Sequence, residues 1–294
     1  MPKIFSPLRY PGGKSSLADP LSEVLKLNKL QHGHYAEPYA GGAGLGLAML
    51  FRANVEQIHI NDLDRSIWSF WHAVLHLTDN FIELIERTPV SIDEWHKQRE
   101  IQLRQNSSEP LELAFATFFL NRTNRSGIIK NAGPIGGLSQ NGKYKIDCRF
   151  NKKALIKKIR LIAEHKRCIH LYRLDAIEFL DHVENNLPTN TFSYIDPPYF
   201  HKGASLYTSF YTLKDHSVVA ERILSLSKPW LTTYDDALEV KKLYKQRRQF
   251  SISLNYSLQR KRRGSEVLIA SKGLRVPAAF KGGRNREKRG SFAE

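Results

Sequence analysis

HYAEPYAGGAGLGLAMLFRANVEQIHIND, residues 34–62, holds the plan of the chain. HYAEP suits a short strand, YAGGAGLGLAMLF is a glycine-rich turn running into an apolar helix, and EQIHI is a second strand ending at Asn61-Asp62. Strand, turn, helix and strand make a βαβ unit, which implies a parallel sheet with its ligand at the carboxyl ends of the strands. The glycines let the backbone approach a ligand closely, and the helix N-terminus favours a negative group. Gly42, Gly44 and Gly46 do not have the GxGxxG spacing of a dinucleotide fold. Asp62 ends the second strand, where an acid typically holds ribose hydroxyls. Its competing role is to cap the helix that starts near Asp64.

Outward from this unit the texture changes twice. From Asp64 to about Arg122 it is helical: DRSIWSFWHAVLHL puts Ile67, Phe70, Trp71, Val74 and Leu75 on one face, and LELAFATFFLNR is apolar enough to be buried. Residues 123–150 are rich in Gly, Asn and Lys, and Asn141-Gly142 between short β-like runs predicts a tight hairpin. Then β/α alternation resumes, with strands predicted at KRCIHLYRL, TFSYI, PWLTTY and around 250–255 and 265–270. Helices are predicted at DAIEFLDHV, KDHSVVAERILSLS and DALEVKKLY. The reading is an α/β sheet domain in two segments, 1–62 and 155–272, interrupted by a helical and hairpin insert at 63–154. The basic stretch 273–294 is expected to be a disordered tail.

Of 294 residues, 41% are hydrophobic and 25% charged, ordinary for a protein with a real core. The balance of 45 Lys+Arg against 29 Asp+Glu, +16 in all, is not ordinary and points to a polyanionic partner. An anionic membrane fits less well, because no long basic amphipathic helix stands out. No run of about 18 apolar residues could span a bilayer, and MPKIFSPLRY has no apolar signal region. Cys148 and Cys168 form neither a CxxC nor a metal pattern with histidines, so both are expected as free thiols in a reducing cytosol, with no metal.

Two shorter stretches carry the chemistry. RYPGGKSS, residues 9–16, invites a P-loop reading, but Leu8 stands where that motif needs its first glycine and little room remains for a preceding strand. What remains is either a plain turn or a loop whose Lys14 reaches an anionic or carboxylate-bearing ligand. TFSYIDPPYF, residues 191–200, ends an apolar strand at Asp196. A residue before proline is held extended, and Pro197 and Pro198 have fixed φ and no N–H, so their carbonyls stay free as acceptors. A carboxylate beside a carbonyl on a rigid frame matches the two N–H donors of an exocyclic amino group. Tyr199 adds a flat ring for a base to stack on. A proline-terminated strand with a helix cap is the bland alternative; the aromatic residue and the upstream glycine turn weigh against it.

With these motifs assembled, the chain resembles the Dam-like class of DNA adenine-N6 methyltransferases, in which DPPY is the catalytic motif. RYPGGK, EPYAGGAG, NDLD, FFLNRTNRSGI, YIDPPY and SFYTLKDHSVVA stand in the family's order, from Arg9 to about Ser271. The resemblance implies a Rossmann-like, S-adenosylmethionine-dependent methyltransferase sheet carrying a target-recognition insert. It implies that Tyr10 and Lys14 contact S-adenosylmethionine, that Glu37, Pro38 and the glycines Gly41 to Gly44 line its amino-acid end, and that Asp62 holds the ribose. Asp175 stands near the cofactor adenine by a looser match. Asp196, Pro197, Pro198 and Tyr199 form the amine pocket, with Asp196 close to the cofactor as well. Asn121, Arg122, Asn124 and Arg125 resemble the DNA-contacting part of the insert, with Lys143 expected on phosphates. The partner implied is double-stranded DNA, the location the cytoplasm, and the oligomeric state a monomer. Amine methyltransferases of RNA or protein favour asparagine at the Asp196 position and cytosine-N4 enzymes serine, while a non-catalytic DNA-binding relative would keep the fold without binding the cofactor.

Overall fold

The computed structural model describes residues 5–9, 13–200, 211–256 and 262–281. Its helices, in chain order, are α1 (Ala18–Leu27), α2 (Gly44–Phe51), α3 (Arg65–His76), α4 (Thr78–Arg87), α5 (Ile92–Leu103), α6 (Pro110–Thr123), α7 (Lys152–Glu164), α8 (Ala176–Asn186), α9 (Leu213–Ser225), α10 (Leu238–Leu243) and α11 (Ala278–Lys281). Its strands are β1 (His34–Glu37), β2 (Gln57–Asn61), β3 (Ile169–Tyr172), β4 (Thr191–Ile195), β5 (Trp230–Asp235), β6 (Arg248–Tyr256) and β7 (Arg262–Ala270). They form one seven-stranded sheet in the order β3-β2-β1-β4-β5-β7-β6. The first five strands are parallel, as crossovers carrying α2, α8 and α9 require, and β7 runs antiparallel between β5 and β6. This is the Rossmann-like α/β architecture expected. Every residue of β4 is buried, as a central strand covered on both faces should be.

The strand order reverses between β1 and β4. From β1 the chain steps outward through β2 to β3; from β4 it steps the other way to β5. Ligands of open α/β sheets bind in the crevice at such a switch point, outside the carboxyl ends of the strands. The glycine turn leaves β1 and the DPPY segment leaves β4, so the topology brings two distant motifs to the same crevice.

Helices α3 to α6 lie between β2 and β3. Their aromatic residues build a continuous cluster with the sheet: Tyr35, Ile58 and Ile60 share one core with Phe70, Phe81 and Phe118. Phe70 stacks on Phe118 with ring centres 5.9 Å apart, and Phe118 meets Phe150 edge-on at 5.4 Å. The expected insert therefore shares the sheet's core.

Two expectations are corrected. No strand forms across 135–149. A type I′ hairpin needs positive φ at both central residues, and neither Asn141 nor Gly142 has it; Gly136, Gly137 and Gln140 do. Gln140 organises the loop instead, its Nε2 donating to the Ile135 carbonyl at 2.9 Å and its Oε1 accepting from the Ile146 N–H at 2.8 Å. The expected tail, too, begins as structure: Leu274, Val276 and Phe280 are buried, and Asn28 brackets the Arg275 backbone at 2.8 Å on both sides. Residues 282–294 lie outside the described residues. Among the described residues no helix is long and apolar enough to cross a membrane.

Candidate active site

The glycine turn is held from three directions. Gly41 and Ala43 take left-handed backbone conformations, which in Ala43 is a local strain that its surroundings must support. The buried Asn61 at the end of β2 donates to the carbonyls of Pro38 and Leu174 and accepts from the Leu174 N–H, so one amide ties the ends of β1, β2 and β3 together. Trp71 of α3 donates to the Gly41 carbonyl at 2.8 Å. Asp62 accepts from the N–H groups of Gly41 at 2.9 Å and Asp64 at 3.0 Å. The helix cap falls to Asp64, which accepts from Ser66, so the competing capping role of Asp62 is excluded and its carboxylate stays at the turn. Burial, then the neighbouring Asp64, pushes its pKa up to about 7.

Glu37 ends β1 with its carboxylate buried beneath the turn. Its Oε1 accepts from the Tyr35 hydroxyl at 2.7 Å and the Gly46 N–H at 3.1 Å, while its Oε2 has no hydrogen-bond partner. Burial pushes this carboxyl up to about 7 as well. An orphaned buried acceptor beside a helix opening, with a second half-used acid across the turn, suits a ligand that brings its own donors. These residues therefore fit the amino-acid and ribose groups of S-adenosylmethionine. The segment carrying Lys14 lies against the same turn: a Cβ on Gly44 would come within 2.8 Å of the Ser15 hydroxyl.

Lys14 itself faces the DPPY segment. Its ammonium donates to Asp196 Oδ2 at 2.8 Å and to the Tyr199 hydroxyl at 3.1 Å, and stands 3.4 Å from Glu266 Oε1. The Lys14 side chain is 4% exposed and that of Asp196 23%, so the pair closes the pocket from below and leaves only the acid accessible. Burial alone would lower the Lys14 pKa; Asp196, then Tyr194 and Glu266, outweigh it and hold the value well above normal. The other carboxylate oxygen of Asp196 accepts from Thr233 of β5 at 2.9 Å, and Thr233 is in turn held by Tyr194 at 2.7 Å. Tyr199 is buried, its pKa raised by burial first and then by Asp196, and its hydroxyl donates to Glu266 at 2.5 Å. Asp235 accepts from the Phe200 N–H at 2.8 Å and so fixes the turn beyond the prolines.

The remaining expected residues divide. Tyr10 lies outside the described residues. Asp175 opens α8 with a capping box, accepting from the Ile177 N–H at 2.8 Å while Glu178 reaches back to its N–H. Asn121 and Asn124 are corrected: both are buried. Asn121 brackets the Arg9 backbone and donates to the Gly127 carbonyl, and Asn124 accepts from the Trp95 indole at 2.6 Å and donates to the carbonyls of Ile128 and Ile129. Neither amide is free to meet a base. The Arg122 guanidinium turns inward onto the carbonyls of Arg149 and Pro7, and burial, then Arg9 and Arg149, lowers its pKa to about 10. Arg125 and Lys143 stay exposed.

Sequence reasoning missed Glu266, Thr233, Asn61 and Trp71. For Glu266 a signal existed: a single acid in the otherwise apolar run EVLIA of a strand covered on both faces must have found a partner.

Comparison with known proteins bears on the same residues. Residues 10–258 match the model of the D12 class N6 adenine-specific DNA methyltransferases. No curated protein resembles the chain closely enough to count as a match. Among solved structures, one similar protein is a Pyrococcus horikoshii protein assigned provisionally as an RNA methyltransferase, with 9% identity, TM-score 0.41, and coverage of 90% of this chain and 86% of the other. A Listeria monocytogenes protein assigned provisionally as a class I S-adenosylmethionine-dependent methyltransferase shows 12% identity and TM-score 0.37 over 89% of this chain and 62% of its own. The family match spans both the turn after β1 and the DPPY segment after β4, and the chain belongs to the D12 class N6 adenine-specific DNA methyltransferase family.

Proposed function

We propose that the chain methylates the N6 amino group of adenine within specific sites of double-stranded DNA. The observation that carries this reading is the Asp196 carboxylate: held by Thr233 on one oxygen and Lys14 on the other, it sits accessible at the end of β4, across the switch point from the glycine turn. Each carboxylate oxygen has a second lone-pair site to offer. An amino group that gives one hydrogen to Asp196 and the other to the Pro197 carbonyl has its nitrogen lone pair directed away from both. Holding it so converts a bimolecular encounter into an oriented one, a large part of the barrier in such transfers. Glu37, Pro38, the turn from Gly41 to Gly44 and Asp62 would hold S-adenosylmethionine, which would supply the electrophilic methyl and leave as the neutral thioether while the amine gives up one proton. Lys14 fixes the position of Asp196. Tyr199 supplies a ring beside the amine pocket on which the base stacks. The target base leaves the duplex at a cost of a few kcal/mol, and residues 63–154 choose the site.

The test uses the full chain, unmethylated duplex DNA and tritiated S-adenosylmethionine, followed by digestion to nucleosides. Label in N6-methyl-2′-deoxyadenosine is the expected result. Label in N4-methylcytosine, or transfer to single-stranded DNA or RNA in preference to duplex, would overturn the assignment.

A further inference from the structure

We infer that Glu266 of β7 is a positioning residue for methyl transfer, competing with Asp196 for Lys14 and so keeping the Asp196 carboxylate open to the incoming amine. The inference rests on the functional reading above and extends it to a residue outside the DPPY segment. Glu266 is 2% exposed and sits at the centre of β7, where the chain meets both β5 and β6. Its Oε1 accepts from the Tyr199 hydroxyl at 2.5 Å and lies 3.4 Å from the Lys14 ammonium, which itself stands 2.8 Å from Asp196. Two carboxylates thus share one buried ammonium. A buried acid is retained only with a partner, and the partners here belong to the amine pocket.

The geometry has a consequence for catalysis. With Glu266 ionised, Lys14 is drawn toward both acids, and Asp196 keeps acceptor capacity for the substrate. With Glu266 neutral, the ammonium, already 2.8 Å from Asp196, has that carboxylate as its one remaining anion and draws more heavily on its acceptor capacity. The hydroxyl of Tyr199 also loses its charged acceptor, so the ring beside the base is less firmly placed. The groups facing Glu266 are Lys14 from the N-terminal segment, Tyr194, Asp196 and Tyr199 from β4 and the turn after it, and the cross-strand Asp235 of β5. Burial, opposed by Lys14 and reinforced by Asp196, pushes the carboxyl up to about 7. Its Oε2 is buried with no partner, so protonation there breaks no hydrogen bond. Ionisation across neutral pH is therefore open to it.

The experiment compares wild type, Glu266→Gln, Tyr199→Phe and the double variant by steady-state methylation of duplex DNA from pH 5.5 to 9, with circular dichroism of each. Glu266→Gln keeps shape and volume but never carries charge. The expected result is a kcat lowered on the order of tenfold with cofactor KM within about twofold. At saturating cofactor, wild-type kcat is expected to rise through about pH 7 and the rise should be flattened in the variant, because the acid facing Lys14 no longer titrates; Glu37 and Asp62, also raised to about 7 but in the cofactor half of the site, should report in cofactor KM instead. The Gln effect should shrink in the Tyr199→Phe background, since part of it passes through the hydroxyl. A Glu266→Gln enzyme with wild-type kcat and the same acidic limb overturns this inference alone. Loss of kcat with the limb retained assigns Glu266 a packing role and overturns it too. A wild-type chain that methylates no DNA overturns the functional reading and the inference together.

Discussion

The amine pocket after β4 and the loop after α6 are both picked out by motif, and they are built on opposite terms. In the loop, both ends of the Asn121 and Asn124 amides are partnered by backbone or by Trp95. In and beside the pocket, Glu37 Oε2 and Glu266 Oε2 are buried without partners, and the carboxyls of Glu37, Asp62 and Glu266 are each pushed up to about 7. At these two places the loop has its amides satisfied, whereas the site leaves carboxylate acceptors waiting for a ligand. The difference teaches that a polar residue in a family motif is not thereby a ligand contact. The asparagines of NRTNRSG earn their place by shaping the loop.

The sharpest way to break this comparison is Asp196→Ala. Removing the acid leaves the buried Lys14 with Glu266 as its remaining anion, so stability should fall while circular dichroism stays that of a folded protein, and methyl transfer should fall by about 10²–10³-fold, the usual loss for a positioned polar group in an active site. Retained activity would remove the amine pocket from the argument. The matching change in the loop is Asn124→Ala, and it should behave in reverse. It strands the buried Trp95 indole N–H and two half-buried carbonyls, the first at roughly 1–3 kcal/mol and the carbonyls together adding about 1, since water reaches them. Urea unfolding should show a loss of about 2–4 kcal/mol on that basis, and the sites still methylated should be the same ones. A stable Asn124→Ala protein with altered site choice would return the residue to base reading.

How much of this was legible in the chain depends on how far apart the deciding residues lie. The β/α alternation is local, since periods of 2 and 3.6 are written within each element, and TFSYI, PWLTTY and DAIEFLDHV became β4, β5 and α8. Asp196 was legible because the prolines that pin it are adjacent. Glu266 was hidden because its role depends on residues 14, 196 and 199, brought together only by the sheet. The Asn141-Gly142 hairpin failed for a related reason: turn chemistry proposed it, and the side chain of Gln140 overrode it. Beyond Lys272, the average charge concealed Leu274, Val276 and Phe280, three apolar residues spaced to reach the core.

A milder test of the contrast uses pH. The folded-state pKa of Glu37 is raised from 4.5 to about 7 by burial. The fold thus favours its protonated form, so its favourable contribution is complete below about pH 4.5 and is lost as pH rises through 7. Glu37→Gln mimics the protonated form at every pH. It should match wild-type stability near pH 4 and exceed it by about 1–3 kcal/mol at pH 8, a gain typical of relieving a site built for function. Calorimetry at pH 8 should show weakened S-adenosylmethionine binding in the same variant. Equal stability of the two proteins across that range would mean that the buried carboxylate finds a partner in solution, and the pocket would lose its contrast with the loop.

The smallest effects are expected on the outer face of the loop, where Arg125 and Lys143 remain exposed. Arg125 follows directly on the bracketed Asn124, so its backbone is fixed while its side chain is free. Its N–H donates to the Gly133 carbonyl at 3.1 Å, and its guanidinium lies beside Gly137. A fixed stem with a free guanidinium suits a bidentate pair with guanine, worth about 1–3 kcal/mol of discrimination at one position. Lys143 sits on a turn held through Gln140 and presents a point charge, which suits a phosphate and carries no sequence information. Arg125→Ala should therefore change the relative rates at related sites while overall affinity moves little. Lys143→Ala should weaken all sites alike and reduce the slope of log affinity against log salt by about one. Methylation of a randomised duplex pool, sequenced for modified adenine, reads the first, and a salt series of binding measurements reads the second. If Arg125→Ala leaves the relative preferences untouched, the base-reading side chains lie elsewhere in residues 63–154, and the loop after α6 is scaffold throughout.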